Sequence, residues 1–284
     1  MPTFDTPDPI DLDVTTGMGR IEIVATDRAD TVAEVLPSNP RRHGDVTLAG
    51  DATVEFTAGR LRVLVPKRLN LFGPGDSVDV RVQLPTGSRV TVESAYGSVV
   101  LRGTFGVSAV RAAYGAVTIG RTADLVLKVP YGELEVQEVV GDLTLTAGHG
   151  RHRIASVTGE VRIKGSHGAI DLGDIGGDVE ARASGPVTID RAGGNVSVQT
   201  AYGAVRVREV TGGTVRLENG YAEIEVGVPA GVAAWVDAAS QHGIVRNELT
   251  PEGGPGESDR TVELRLRANY GDVIITRTNE KGKS

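Results

Sequence analysis

Tyrosine or histidine recurs at nearly constant spacing through the middle of the chain, in most copies directly before a glycine. Successive copies lie 17 to 19 residues apart, and Ser184-Gly185 fills the one place where the ring is missing. Rings stacked in a column of this kind can hold a sugar or a partner segment. Stacked rings also fasten one repeat to the next, which is the structural alternative. The candidate binding residues are Tyr96, Tyr114, Tyr131, His149, His167, Tyr202 and Tyr221.

A second series places acidic residues one above another. Its members are Asp124, Asp142, Glu160 and Asp178, followed by Asn195. Like charges in adjacent positions destabilise a sheet unless something relieves the repulsion. A row of weak Ca²⁺ sites would do so, because hard cations take carboxylate oxygens. The alternative is that each side chain accepts a hydrogen bond from the turn backbone and points into water. We expect the second arrangement and therefore no metal.

His152 stands where other repeats have valine, leucine or isoleucine. Together with His149 and His167 it offers imidazoles for a transition metal, but no carboxylate is spaced to complete the ligand set. The chain has no cysteine, which excludes thiolate chemistry. It also lacks a Ser/His/Asp order, a phosphate loop and a helix-borne zinc motif. The sequence therefore predicts a protein that is not an enzyme and has no cofactor.

The elements that carry these residues are short strands. Tyr114-Gly115 is followed by Ala-Val-Thr-Ile, and Asp142 by Leu-Thr-Leu, so each repeat contains two segments with apolar residues at alternate positions. This period-2 pattern indicates half-buried strands. A unit this short cannot bury its apolar row alone, but units stacked in parallel can. The sequence predicts an all-β, parallel β-solenoid (β-helix-like) with coils of 17–18 residues.

The predicted interior consists of two ladders of inward residues. They are Val99, Val117, Leu134, Ile170, Val187, Val205 and Ile224, with Leu101, Ile119, Val136, Ile154, Leu172, Ile189, Val207 and Val226 beside them. A β-sandwich of antiparallel hairpins is the competing fold, since it also alternates. The constant spacing favours the solenoid, because hairpins impose no such long-range register.

The two ends are less regular and are expected to be irregular β caps, as open stacks require. We assign an N-terminal β cap to 1–90, regular solenoid repeats to 91–227, closing strands to 228–278 and a tail to 279–284, all in one continuous domain. In the cap, Val46-Thr47-Leu48 is among the segments predicted as strands. Turn-rich segments predict surface loops over Pro66–Ser77 and Thr250–Ser258.

These patterns carry a resemblance to a known family. The strand Val78–Gly87, the repeated Tyr-Gly-x-Val units and the closing segments with His242-Gly243 and Tyr270-Gly271 resemble bacterial β-strand-repeat domains of unknown function described as putative adhesins. The resemblance covers nearly the whole chain. It implies adhesion at a cell surface, often with a membrane segment or signal, and it supplies no established catalytic residues.

Composition narrows the choice of partner. The net charge of −7 and the pI near 5.3 provide no basic field for nucleic acid. The acidic N-terminal segment 1–14 has no basic or apolar stretch, so we expect a cytoplasmic protein without signal peptide or membrane insertion. The predicted function is a non-enzymatic, adhesin-like interaction scaffold for an unknown protein or glycan, as a monomer or dimer. The alternative is a β-helix that binds or modifies carbohydrate.

Overall fold

The computed structural model describes residues 2–67, 75–249 and 260–278. Most of the predicted loop over 66–77, the predicted loop over 250–258 and the predicted tail 279–284 lie outside the described residues. Contacts cluster in two compact units, Met1–Gly141 and Asp142–Ser284. The division at residues 90 and 227 expected from the sequence stays a prediction.

Unit 1 contains one short helix and two sheets. Its elements are β1 (Thr3–Asp5), β2 (Asp11–Met18), β3 (Ile21–Thr26), β4 (Asp30–Pro37), α1 (His43–Gly50), β5 (Thr53–Thr57), β6 (Arg60–Leu64), β7 (Val78–Pro85), β8 (Arg89–Tyr96), β9 (Val99–Phe105), β10 (Ser108–Tyr114), β11 (Val117–Thr122), β12 (Leu125–Tyr131) and β13 (Leu134–Val139). One sheet runs in the order β1-β4-β7-β3-β9-β11-β13, and the other in the order β12-β10-β8-β2-β6-β5. Pairing is antiparallel for β1 with β4, β4 with β7, and β5 with β6. The remaining pairs among the described strands of this unit are parallel. The antiparallel strands are the irregular cap that the sequence predicts.

One predicted strand of this cap is wrong. Val46-Thr47-Leu48 lies in α1, which buries Leu48. The Asp45 carboxylate, also buried, accepts hydrogen bonds from the backbone N–H groups of Asn39 and Ser77 at 3.0 and 3.1 Å. The bond to Ser77 is long-range in sequence and holds the helical segment against a distant part of the chain. Three residues are too few to distinguish a period of 2 from one of 3.6.

Unit 2 is built from strands alone among its described residues. They are β14 (Leu143–His149), β15 (His152–Val157), β16 (Val161–Ser166), β17 (Ile170–Ile175), β18 (Val179–Ala183), β19 (Val187–Ala192), β20 (Val196–Thr200), β21 (Val205–Val210), β22 (Gly213–Asn219), β23 (Ile224–Pro229), β24 (Val232–Ser240), β25 (Val245–Asn247), β26 (Arg260–Ala268) and β27 (Val273–Thr278). Its sheets run in the orders β15-β17-β19-β21-β23-β27-β25 and β14-β16-β18-β20-β22-β26-β24. Neighbouring strands in the described part of this unit pair in parallel.

The predicted all-β parallel solenoid is confirmed. Every residue of the two predicted interior ladders is at most 2% exposed. Paired residues one coil apart differ by 17 to 19 in number, as in Val117 with Leu134 and Val205 with Ile224. Most strands bury alternate side chains and turn the others outward, although β24 and β25 do not. The coil corners therefore present equivalent positions of successive repeats.

The last coils of unit 2 do not follow chain order. Strands β26 and β27 pair with β22 and β23 on one side and with β24 and β25 on the other. The final segment of the chain is therefore inserted between two coils that precede it in sequence.

Candidate functional site

Three tyrosines of unit 1 form a stacked column, here called the tyrosine ladder: Tyr96, Tyr114 and Tyr131. They are the last residues of β8, β10 and β12, which the parallel register places side by side. Neighbouring ring centroids are 4.9 Å apart and the ring planes differ by 5–6°. The three side chains remain 44–49% exposed. The ladder therefore presents a continuous aromatic edge to the outside.

The glycine after each ring is required by the backbone. Gly97, Gly115 and Gly132 have φ angles of 127°, 131° and 148°, in the region that side chains rarely adopt. A Cβ on Gly115 would lie 2.0 Å from the carbonyl oxygen of Gly97. The chain thus turns tightly at this corner, and the preceding ring is held on the outer side of the turn.

A groove of about 310 Å³ lies beside this column. Small residues and Pro130 form much of its wall, among them Ala95, Ala112 and Ala113. Its charged side chains are Lys67, Glu93, Arg111 and Lys128. Glu93 and Arg111 form an ion pair at 3.2 Å, so the two lysines give the groove a net positive character.

Unit 2 carries two separate ring stacks on its own coils. His149 and His167 stack at 5.0 Å. The second stack joins Tyr202 to Tyr221 at 5.4 Å and Tyr221 to Tyr270 at 5.3 Å. His242 then stacks on Tyr270 at 4.5 Å. Tyr270 and His242 are not among the candidate residues predicted from the sequence, although each precedes a glycine as most of the candidates do.

Unit 1 also has a further copy of the repeat that the sequence search missed. Met18 pairs with Tyr96 in the parallel register of β2 and β8. Gly19 follows it with a φ of 131°. The missing ring concealed this copy, but the Gly-x-Ile-x-Ile pattern after Met18 could have revealed it.

The acidic series of unit 2 hydrogen-bonds to backbone. Asp142 Oδ1 accepts the Glu160 N–H at 2.8 Å, and Asp178 Oδ1 accepts the Asn195 N–H at 2.7 Å. Asn195 Oδ1 accepts the Thr214 N–H at 2.9 Å in the same manner. The side chains of Asp142, Asp178 and Asn195 thus bind the next coil, and Glu160 forms an ion pair with Arg162 instead. Asp124 belongs to unit 1, and within the described residues no three histidine or carboxylate side chains are placed to hold a metal.

His152 is separated from the other two histidines considered with it. Its side chain is fully buried in the interior, paired in register with Ile170, whereas His149 and His167 lie outside. Neither ring nitrogen of His152 has a hydrogen-bond partner. Burial lowers the pKa of this imidazole below its ordinary value of 6.5. His152 is therefore a neutral core residue at pH 7 and not a surface ligand.

Together these features define the class: a parallel β-solenoid with aromatic stacks on its outer corners. No family model and no curated protein matches the chain. Solved structures to which it is similar include a putative adhesin from Bacteroides fragilis NCTC 9343 and one from Parabacteroides distasonis ATCC 8503. The first has 13% identity and a TM-score of 0.40, the second 14% and 0.37, and each alignment covers 98% of this chain and 95% of the other.

A putative cell adhesion protein from Clostridium sporogenes ATCC 15579 aligns over 98% of both chains, with 13% identity and a TM-score of 0.22. These proteins bear the same description as the family that the repeat pattern resembles. Likeness at this level carries no argument about ligand or activity. Among the described residues, no helix is both long and apolar enough to cross a membrane.

Proposed function

We propose that the protein is a non-enzymatic scaffold that binds a partner protein along the tyrosine ladder and the adjoining groove. The observation that carries this proposal is the outward stack of Tyr96, Tyr114 and Tyr131. Tyrosine supplies a large, rigid contact area at low entropy cost, and the stacking fixes the rings before any partner arrives. The ladder is therefore a preorganised contact surface.

The stacking geometry favours protein over carbohydrate as the partner. A sugar binds an aromatic residue by lying on a ring face. Tyr114 has a ring stacked on each of its two faces, at 4.9 Å on either side. The column instead exposes ring edges and hydroxyl groups, which are suited to the mixed polar and apolar contacts of a protein interface.

The groove adds a charge preference. Lys67 and Lys128 line it, while the charge of Arg111 is matched by Glu93. An extended partner segment with acidic side chains fits this lining, because small wall residues leave room for a backbone and the lysines attract the charge. Salt screens the attraction between these lysines and the acidic side chains, so we expect weaker capture at higher salt concentration.

A site-specific cross-linking experiment tests the proposal. A photo-reactive amino acid placed at Tyr114 should capture a protein from a lysate of the source organism. The same group at Val126, an outward residue that is 52% exposed, is the matched control. Capture from position 114 alone supports the ladder as the binding surface. Equal capture from both positions, or none from either, contradicts it, and retention on a glycan column instead would favour the carbohydrate alternative.

The first prediction concerns the replacement of ladder tyrosines by alanine. Tyr114→Ala and Tyr131→Ala should each weaken the captured complex by about 1 kcal/mol or more, because each removes a central aromatic contact. The far-ultraviolet β spectrum should remain unchanged. Unfolding of both variants would show that the ladder is a structural clasp, and normal folding with normal binding would place the binding surface elsewhere.

A further inference from the structure

The aromatic column of unit 2 is interrupted at one coil. Backbone hydrogen bonds place Ser184 between the coils of His167 and Tyr202. The Ser184 N–H donates to the carbonyl oxygen of Ser166 at 2.7 Å, and the Tyr202 N–H donates to the carbonyl oxygen of Ser184 at 3.1 Å. Ser184, level with His167, and Gly185, level with Tyr202, thus occupy the column position at which the neighbouring coils carry rings. We call the space over Ser184 and Gly185, between His167 and Tyr202, the aromatic slot.

The slot has the width of one ring. Adjacent parallel strands lie about 4.8 Å apart, so positions two coils apart are separated by about 9.6 Å. A planar ring midway would stand about 4.8 Å from each side, within the usual range for aromatic pairs. The existing stacks on the two sides have spacings of 5.0 Å and 5.4 Å. An inserted ring would continue the column without moving a strand.

The interruption leaves ring surface uncovered. Tyr202 is 69% exposed, the highest value among the six tyrosines, whereas Tyr221 in the same stack is 60% exposed and Tyr270 51%. Tyr221 is covered on both faces by Tyr202 and Tyr270. Tyr202 has a ring neighbour on the Tyr221 side, and the coil on its other side carries Ser184. The slot therefore offers free aromatic faces of a kind that the interior of a stack does not.

Two cationic side chains lie on the strands that lead into the slot. Lys164 and Arg182 are exposed, directly paired in the register of β16 and β18, in the coils of His167 and Ser184. Arg182 lies 3.7 Å from Glu180 and is partly compensated. Acidic groups beside an inserted ring would be attracted to this pair of cations.

We propose that the aromatic slot receives an aromatic side chain of the partner protein, flanked in the partner sequence by acidic residues. This assignment deepens the proposed scaffold function, since it names an anchor that the partner would supply. The inserted ring stacks between His167 and Tyr202 and covers Ser184, while the flanking carboxylates lie toward Lys164 and Arg182. Desolvated aromatic anchors of this type dominate protein interfaces.

Capped tripeptides are suitable probes. In an NMR titration, the ring protons of acetyl-Glu-Trp-Glu-amide should shift upfield on addition of the protein, because they enter the shielding region of two stacked rings. Acetyl-Glu-Leu-Glu-amide and acetyl-Lys-Trp-Lys-amide are the controls, and both should bind at least about tenfold more weakly. Equal binding of the leucine peptide would overturn the ring insertion, and equal binding of the lysine peptide would overturn the acidic preference.

Three variants test whether the tripeptide binds at the aromatic slot. Ser184→Tyr supplies the missing ring from within the chain and should abolish the upfield shift, whereas Ser184→Ala leaves the slot open and should bind as the parent does. Should Ser184→Tyr fail to fold, Tyr202→Ala removes one wall and should weaken binding about tenfold. Unchanged binding in a folded Ser184→Tyr protein, or in Tyr202→Ala, would overturn the assignment.

The same variants separate this assignment from the scaffold function. If Tyr114 captures a partner and a folded Ser184→Tyr variant captures it equally well, the scaffold stands and the slot assignment fails. If the tripeptide binds the slot but no partner is captured through the tyrosine ladder, the slot stands and the proposed function of the ladder fails.

Discussion

His152 is the residue at which the solenoid departs most from its own pattern. Its neighbour in the ladder is Ile170, and its side chain is fully buried. Both ring nitrogens lack a hydrogen-bond partner. Burial of a polar group without a compensating hydrogen bond is costly. A polar contact with the backbone of Ala169 offsets part of this cost, but the loss of solvation is the larger effect, so an apolar residue of similar size should fit better.

We therefore expect His152→Leu to raise the free energy of unfolding by about 1–3 kcal/mol at pH 7. The pH dependence should change as well. Because burial lowers the pKa of His152 in the folded state, the unfolded chain takes up a proton near pH 6.5 while the folded chain does not. The parent should thus be most stable above pH 6.5 and should lose stability as the pH falls through that value.

Thermal melts of parent and His152→Leu between pH 8 and pH 5 measure both effects. The difference in melting temperature should widen toward pH 5. The other four histidines are exposed and present in both proteins, so subtraction removes their contribution. A constant difference across this range would mean that His152 titrates alike in the folded and unfolded chains.

The acidic series supports a second prediction at the residue scale. Asp178 accepts the Asn195 N–H at 2.7 Å, so its carboxylate already bonds the next coil. Millimolar CaCl₂ should leave the melting temperature unchanged. Asp178→Asn keeps an acceptor oxygen and should melt close to the parent, whereas Asp178→Ala should melt lower. A calcium-dependent rise that disappears when Asp142 and Asp178 are both changed to Asn would establish a cation site instead.

At the scale of the strand, burial alternates along most strands, so inward and outward positions should respond very differently to the same change. Val205 is fully buried and pairs with Val187 and Ile224 on its two sides. Ser197 is exposed on β20 and faces Glu180 and Arg216 in register.

Val205→Asp should cost several kcal/mol, because it buries an unpaired charge in an apolar ladder. The cooperative thermal transition should be lost. Ser197→Asp introduces the same charge on the outer face and should melt within a few degrees of the parent. Similar melts for the two variants would show that Val205 does not face the interior.

Most strands could be predicted because each one expresses the period-2 pattern several times over, with the same spacing to the next copy. The helix α1 could not be predicted from the sequence. Its position depends on the buried Asp45 carboxylate, which accepts hydrogen bonds from the nearby Asn39 and from Ser77, a residue distant in the chain. The stacked columns of rings could be predicted from the spacing of the tyrosine and histidine residues alone. The groove beside the tyrosine ladder did not, because its wall combines residues such as Lys67 and Pro130 that share no motif.

At the scale of the whole molecule, the feature that spacing could not predict is the order of coils in unit 2. The copies that begin at Tyr221, His242 and Tyr270 are alike in pattern, so each fits beside any other. Yet Tyr270 stacks between Tyr221 and His242. Strand β26 accordingly separates β22 from β24. Only contacts between residues far apart in the sequence determine the order of these coils, and such contacts leave no periodic signal in the sequence.

Engineered disulfides test this order, since the chain has no cysteine of its own. Asp237 is in register with Arg265, which is in register with Arg216 on the far side. Adjacent strands lie about 4.8 Å apart, inside the range of about 4.4–6.8 Å between the Cα atoms of a disulfide, whereas strands two apart are about 9.6 Å distant. The pair Asp237→Cys/Arg265→Cys should therefore oxidise readily, and the pair Asp237→Cys/Arg216→Cys should remain reduced.

Mass spectrometry after mild oxidation distinguishes the two pairs, which share the cysteine at position 237. The bond between 237 and 265 should also raise the melting temperature of unit 2, because it closes a loop in the unfolded chain. Chain order predicts the reverse outcome: with β24 directly beside β22, residue 237 would reach residue 216 and not residue 265. Efficient oxidation of the 216–237 pair would thus contradict the inserted coil. It would also place His242, and not Tyr270, beside Tyr221 in the outer column.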